Sequence, residues 1–153
     1  MIEKSYVMVK PEFANNKEVI EMIKNDLLTK TANPLTILEA GYIHYTAEDA
    51  QKHYAEHVGK DFYPNLEKYI TSDIAYGMVV EGDDAISQIR TLVGSTKNPA
   101  EGTIRYEIPK YLGLELRVTE NVVHASDCTE SAKKEIEIFE NIMNRENIES
   151  LEQ

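Results

Sequence analysis

The chain has 153 residues, a net charge of −11 and a single cysteine, Cys128. That acidity opposes general binding to nucleic acid or an anionic membrane, which needs a basic field, and one cysteine excludes an internal disulfide. No apolar run approaches bilayer length, and Met1-Ile2-Glu3-Lys4-Ser5 lacks the basic and apolar regions of a secretory signal, so one domain spanning 1–153 in the reducing cytoplasm is expected.

In chain order, Lys4 to Val9 is apolar and β-rich and predicts a strand. Pro11 stops its ladder and leaves Lys10 at the strand end. Asn16 is a fitting N-cap for a helix whose buried face carries Val19, Ile20, Ile23 and Leu27. Asn33-Pro34 breaks the chain, and Leu35 to Tyr45 predicts a second strand. Thr46 with Asp49 opens a helix carrying His53, Tyr54 and His57, which Gly59 ends. A second short helix spans Phe62 to Ile70. Ile74 to Val80 is apolar nearly throughout and predicts a central strand. Asp84 opens a helix with Ile86, Ile89 and Val93 on one face, closed by Gly94.

Ser95 to Glu120 is expected to be irregular, because Pro99, Gly102 and Pro109 interrupt it. Val122 and Val123 then read as a short buried strand. Ser126 and Asp127 suit the start of a helix, Asp127 and Glu130 having the spacing of a capping box. Ala132, Glu135-Ile136, Phe139 and Met143 mark the apolar stripe of that helix, and a frayed tail is expected from Glu146. Four strands with helices after the first and third fit an α+β, ferredoxin-like βαββαβ fold: a four-stranded antiparallel sheet covered by helices.

His124 falls between the last strand and the last helix. Rigid backbone would hold its imidazole there, and the helix end favours an incoming anion. Imidazole can act as a nucleophile near neutral pH, so His124 is placed to take a phosphoryl group from one nucleotide and pass it to another. Taken alone, a histidine on an apolar strand is more often a satisfied core residue. His53 and His57, four apart, could pair on a metal, but with no third ligand in view a core or solvated face is the simpler reading. Nucleotides are anions, so an acidic chain must gather its cations locally. Lys10, Lys60, Arg90 and Arg105 are the candidates, with a bound Mg²⁺ removing part of the repulsion.

Several motifs together resemble the nucleoside diphosphate kinase family. They are Tyr6-Val7-Met8-Val9-Lys10-Pro11, His53-Tyr54, Phe62-Tyr63, Leu66, Lys68-Tyr69, Arg90, Gly94, Thr96, Asn98-Pro99-Ala100 and Gly102-Thr103-Ile104-Arg105. Asn121, His124, Ser126-Asp127, Glu130-Ser131-Ala132 and Glu135-Ile136 complete the set. The matches run in family order over about residues 4 to 144. The resemblance implies transfer of the γ-phosphoryl of a nucleoside triphosphate to a nucleoside diphosphate, in ping-pong fashion, through phospho-His124. It implies that Lys10, Lys60, Arg90, Thr96 and Arg105 meet the phosphates, and that Asn121 and Lys10 hold the ribose. Phe62 would stack on the base with Leu66 beside it. Tyr54 would lie near the imidazole, and Glu135 would orient it directly or through Ser126. Mg²⁺ would arrive with the nucleotide, Asp127 being its nearest protein contact. A homo-oligomer is implied too.

Some positions depart from the family pattern. Glu12-Phe13 replaces Asp-Gly, Lys60 replaces an arginine and so loses its bidentate fork, and Ala125 replaces a glycine. Tyr106 to Glu120 is longer than the family's segment and different from it. The alternation of Leu112, Leu114 and Leu116 suggests an inserted loop or hairpin near 106–120. The family uses this region for subunit contacts, so the resemblance does not fix whether the oligomer is a dimer, a tetramer or the usual hexamer. Beside the kinase stand two other readings: a nucleotide-binding relative with reduced or lost turnover, acting as a scaffold, and a histidine-phosphorylated regulator.

Overall fold

The computed structural model describes residues 1–114 and 122–152, with side chains described as far as 146. Four strands form one sheet: β1 (Ile2–Val9), β2 (Leu35–Ile43), β3 (Ala75–Asp83) and β4 (Val123–Ala125). Their order is β2-β3-β1-β4, with every neighbouring pair antiparallel. Helix α1 (Lys17–Thr29) joins β1 to β2, and α2 (Ala47–His53) and α3 (Tyr63–Ile70) join β2 to β3. Helices α4 (Ala85–Val93) and α5 (Ile104–Leu112) follow β3, and α6 (Thr129–Glu152) follows β4. This is the expected ferredoxin-like α+β arrangement.

The local chemistry behaves as the sequence predicts at most element ends. Asn16 accepts hydrogen bonds from the N–H groups of Glu18 and Val19 to cap α1, and Thr46 and Asp49 form a reciprocal capping box on α2. β1 and β3 are central and buried on both sides, whereas β2 is an edge strand, kinked by a register shift between Ile37 and Glu39. Strand alternation sends Val7 and Val9 to one face and Tyr6 and Met8 to the other. On the first face α1, α4 and α5 pack through Ile23, Leu27, Ile89 and Ile108. On the second, α2, α3 and α6 pack through Ala50, Ile70, Phe139 and Ile142. Gly77 makes this second face possible: a Cβ there would stand 2.6 Å from the Phe139 ring and 2.8 Å from the Tyr6 hydroxyl.

Two expectations are corrected. The stretch read as irregular, with a loop or hairpin from 106, contains α5, a helix that includes Pro109. Thr103 at its N-cap is extended, Ile104 and Ile108 are buried one turn apart, and Gly113 ends the helix in the left-handed region. Leu112 and Leu114 therefore do not alternate along a strand; both pack against the first-face core from either side of that turn. Leu116, and the remainder of the hairpin expectation, lie outside the described residues. The last helix also starts one residue later than the capping-box spacing predicts: Cys128, not Asp127, stands before it, and its Sγ accepts from the Ser131 N–H at 3.5 Å. The backbone of α6 runs to Glu152, and Glu146 accepts from the His44 N–H at 3.0 Å.

Candidate active site

β4 is only three residues long, yet its register fixes the site. His124 pairs with Met8 of β1, so its side chain shares the second face with Tyr6 and Met8. Backbone bonds hold the strand at both ends: the Lys10 N–H donates to the Val122 carbonyl at 2.8 Å, and the Ser126 N–H to the Tyr6 carbonyl at 3.1 Å. Val122 adopts a φ of +78°, an uncommon conformation for a β-branched residue, held by complete burial. Ala125 is not among the described residues with positive φ, so an alanine in place of the family's glycine brings no left-handed strain there.

The His124 side chain is 21% exposed, and its Nε2 lies 2.9 Å from Glu135 Oε1. That contact is close but lacks the alignment of a hydrogen bond. Glu135 is buried, one turn and a half into α6. Its Oε1 accepts from Ser126 Oγ at 2.7 Å, and Ser126 in turn accepts from the Tyr6 N–H at 3.0 Å. Ser126 is fully buried, so it anchors the carboxylate to the sheet and meets no ligand itself. With Nε2 turned to Glu135, the other ring nitrogen, Nδ1, is the one left for chemistry in the cleft.

The cleft beside His124 is lined by Tyr54, Arg90, Thr96, Arg105, Asp127 and Glu135, with His53, Glu56, His57, Ser131 and Lys134 completing it. The two guanidiniums are braced by backbone. Arg105 donates to the Gly94 carbonyl at 2.8 Å and the Val123 carbonyl at 2.9 Å, and Arg90 reaches the Ala125 carbonyl at 3.4 Å. Burial, then the neighbouring Arg90 charge, lowers the pKa of Arg105 to about 10, so it stays cationic at neutral pH. Gly94, at φ +92°, makes room for this turn: a Cβ would meet Thr103 at 2.6 Å. The Ser131 hydrogen bond holds the Asp127 carboxyl below its ordinary range, so an exposed anionic oxygen faces the cleft.

Other predicted residues sit farther out. Phe62 is 50% exposed, with the Lys60 ammonium 5.9 Å above its ring and His57 5.4 Å away. This aromatic shelf adjoins the cleft through His57 without lining it. Leu66, one turn along α3 from Phe62, is buried. Lys10 is 7% exposed at the end of β1. Burial first, then the Arg105 charge, lowers its pKa to about 7. Asn121 lies outside the described residues.

Sequence reading missed His53, which it left as core or solvated face. The ring is buried, stacks on Tyr54 at 4.4 Å and stands edge-on to His124 at 4.5 Å. Its Nδ1 meets the Tyr45 hydroxyl at 3.1 Å, and that hydroxyl meets Tyr6 Oη at 2.9 Å. Burial, then the His124 charge, pushes its pKa well below the ordinary imidazole value, so it is neutral. Lys134 and Ser131 were missed as well. Their spacing with Glu135 along one face of α6 was the available signal.

An α+β sandwich of ferredoxin-like topology, with a carboxylate-held histidine on the floor of a cationic cleft, defines the class. A family model described as "Nucleoside diphosphate kinase" matches residues 3–143. A nucleoside diphosphate kinase of Listeria monocytogenes is 40% identical over 141 residues, spanning 90% of this chain and 88% of its own. One from Metallosphaera sedula is 39% identical over 139 residues, spanning 90% and 92%. The structure of a halophilic nucleoside diphosphate kinase from Halobacterium salinarum in complex with CDP superposes with a TM-score of 0.77 at 31% identity, covering 91% of this chain and 88% of that one. The chain belongs to the nucleoside diphosphate kinase family.

Proposed function

We propose that the chain transfers the γ-phosphoryl of a nucleoside triphosphate to a nucleoside diphosphate by a ping-pong reaction through phospho-His124, with residues 1–153 acting as one domain. The observation that carries this reading is the 2.9 Å approach of Glu135 to His124 Nε2 beneath two braced guanidiniums. The lone pair of Nδ1 attacks the γ-phosphorus, and the bond to the β–γ bridging oxygen breaks, releasing the diphosphate. A terminal oxygen of the second diphosphate then attacks the phosphorus, and the P–N bond returns its electrons to the ring.

Phosphoryl transfer asks mainly for positioning and charge stabilisation. Arg90, Arg105, Lys10 and Thr96 supply these to the phosphates, Lys60 lies farther out, and Asn121 and Lys10 hold the ribose. Phe62 stacks on the base with Leu66 beside it, and stacking tolerates every base. Glu135, anchored by Ser126, and Tyr54, packed against His53, position the imidazole. Mg²⁺ bound with the nucleotide would neutralise phosphate charge, and the exposed oxygens of Asp127 suit a hard cation, directly or through water. The chain works as a homo-oligomer in the cytoplasm, and nucleotides are its substrates.

Incubation with γ-labelled ATP tests this. Acid-labile label should appear on the wild-type chain, leave as a new triphosphate when a diphosphate is added, and be absent from His124→Ala. Label persisting in that variant overturns the assignment. Nucleotide binding with no label supports a scaffold instead.

A further inference from the structure

Behind His124, three ligand-type groups converge, and the Nε2 atoms of both histidines lack an aligned partner. His53, His124 and Glu135 each offer one atom, and all three atoms lie within 4.8 Å of one another. His53 Nε2 is buried without a hydrogen-bond partner, and Glu135 Oε2 is 3.8 Å from it. His124 Nε2 is likewise buried without an aligned partner.

Neither tautomer of His53 resolves this. If the Tyr45 hydroxyl donates to Nδ1, the proton on Nε2 points at an oxygen too distant to accept it. If Nδ1–H donates to Tyr45, a bare nitrogen lone pair faces a carboxylate oxygen. Each arrangement leaves a buried polar group unsatisfied, which is unfavourable. A cation between the three atoms removes the conflict in the second case.

We propose that these residues form a binding site for a borderline transition-metal ion of the zinc type, and that its occupancy switches off the His124 nucleophile. Two imidazoles and one carboxylate are a zinc-type donor set, and with solvent from the cleft they complete four-coordination. Bonds of roughly 2.0–2.2 Å would hold tetrahedral ligand atoms about 3.3–3.5 Å apart. The three candidate ligand atoms lie within 4.8 Å of one another, and Glu135 Oε2 is 3.8 Å from His53 Nε2, so side-chain rotations that draw them together close the site. Outer partners are already in place. Tyr45 holds His53 Nδ1, and Ser126 occupies Glu135 Oε1, leaving Oε2 to bind. Mg²⁺ prefers oxygen ligands and would not compete for two imidazoles.

The switch follows from proton counting. A neutral imidazole has one proton and one nitrogen lone pair. When the metal takes the lone pair of His124 Nε2, the ring proton sits on Nδ1, and no proton is released to solvent. Nδ1 then has no lone pair with which to attack phosphorus. This consequence rests on the proposed role of His124; the site itself does not.

Zinc chloride titrated into the full chain against a chromophoric chelator should give one equivalent of bound metal, with no effect of millimolar Mg²⁺. His53→Asn and Glu135→Gln should each weaken zinc binding about tenfold or more. His57→Asn, which changes a cleft histidine outside the triad, should not. Should either triad variant misfold by circular dichroism, zinc-edge anomalous scattering from crystals of the unaltered chain decides, with a peak expected between the three side chains. No binding, a peak elsewhere, or loss of affinity only in His57→Asn overturns the site. Imidazole nitrogen spectra should move His124 to its Nδ1–H tautomer, and zinc should abolish labelling by ATP while a fluorescent nucleotide still binds. Undiminished labelling with the triad occupied overturns the switch. A chain that binds zinc at the triad yet is never labelled, even with chelator present, refutes the phosphotransfer reading and leaves the site standing.

Discussion

The two faces of the sheet are built from the same four strands and do different work. The first, under α1, α4 and α5, is apolar: Val7, Val9, Ile23, Leu27, Met78, Ile89 and Ile108 are all essentially inaccessible. The second, under α2, α3 and α6, interleaves Met8, Phe139 and Ile142 with Tyr6, Tyr45, His53, Ser126 and Glu135. Apolar burial is non-directional and gains free energy in proportion to area, whereas a buried polar chain gains little unless every member is paired. The first face therefore stabilises the fold, and the second gives up some stability to fix the direction of one imidazole.

The contrast is broken most forcefully from the apolar side. Leu27→Ala empties part of a fully buried site and should cost about 2–5 kcal/mol in denaturant unfolding. The rate of phosphohistidine formation per folded molecule should not change. A fall in that rate at temperatures where the variant is fully folded would mean the faces are coupled.

Tyr45→Phe sharpens the contrast from the other side. The Tyr45 hydroxyl bridges Tyr6 Oη and His53 Nδ1, so its removal leaves two buried groups without that partner and should cost about 1–3 kcal/mol. His53 then loses the contact that fixes its ring beside Glu135. Labelling by ATP should slow severalfold with the nucleotide dissociation constant unchanged. Slower labelling explained wholly by weaker nucleotide binding would reduce the phenol chain to a packing feature.

These predictions also mark what the chain disclosed before folding. Element type was legible wherever period and punctuation agreed, as in the Asn16 cap, the Thr46–Asp49 box and the apolar run of β3. His124, Glu135 and the arginines were legible through spaced motifs. Helix α5 was not, because Pro99, Gly102 and Pro109 look like loop chemistry, while the turn-spaced pair Ile104 and Ile108 is too short a signal to outweigh them. The phenol–imidazole chain was illegible for another reason. Tyr6, Tyr45 and His53 come from β1, the link between β2 and α2, and α2, and only the folded sheet brings them together. A lone buried histidine has no sequence signature separating a packed ring from a member of a polar network.

The smallest expected effect concerns Lys10, at the end of β1 beside both faces. Burial and the Arg105 charge lower its pKa to about 7, from 10.5 in the unfolded chain. Between those values the unfolded chain binds more protons than the folded one, so this group's contribution to stability rises with pH. That contribution is complete above the unfolded value and is lost as pH falls through about 7. A nucleotide phosphate placed beside the ammonium favours its charged form. At pH 7 nucleotide binding should therefore draw in up to about half a proton through Lys10. Calorimetry at that pH in two buffers of different ionisation enthalpy measures the uptake as a difference in apparent binding heat. Lys10→Met should remove this share of the difference, with affinity also falling. Equal heats in both buffers for the wild-type chain would mean that Lys10 does not meet the phosphates in the way proposed.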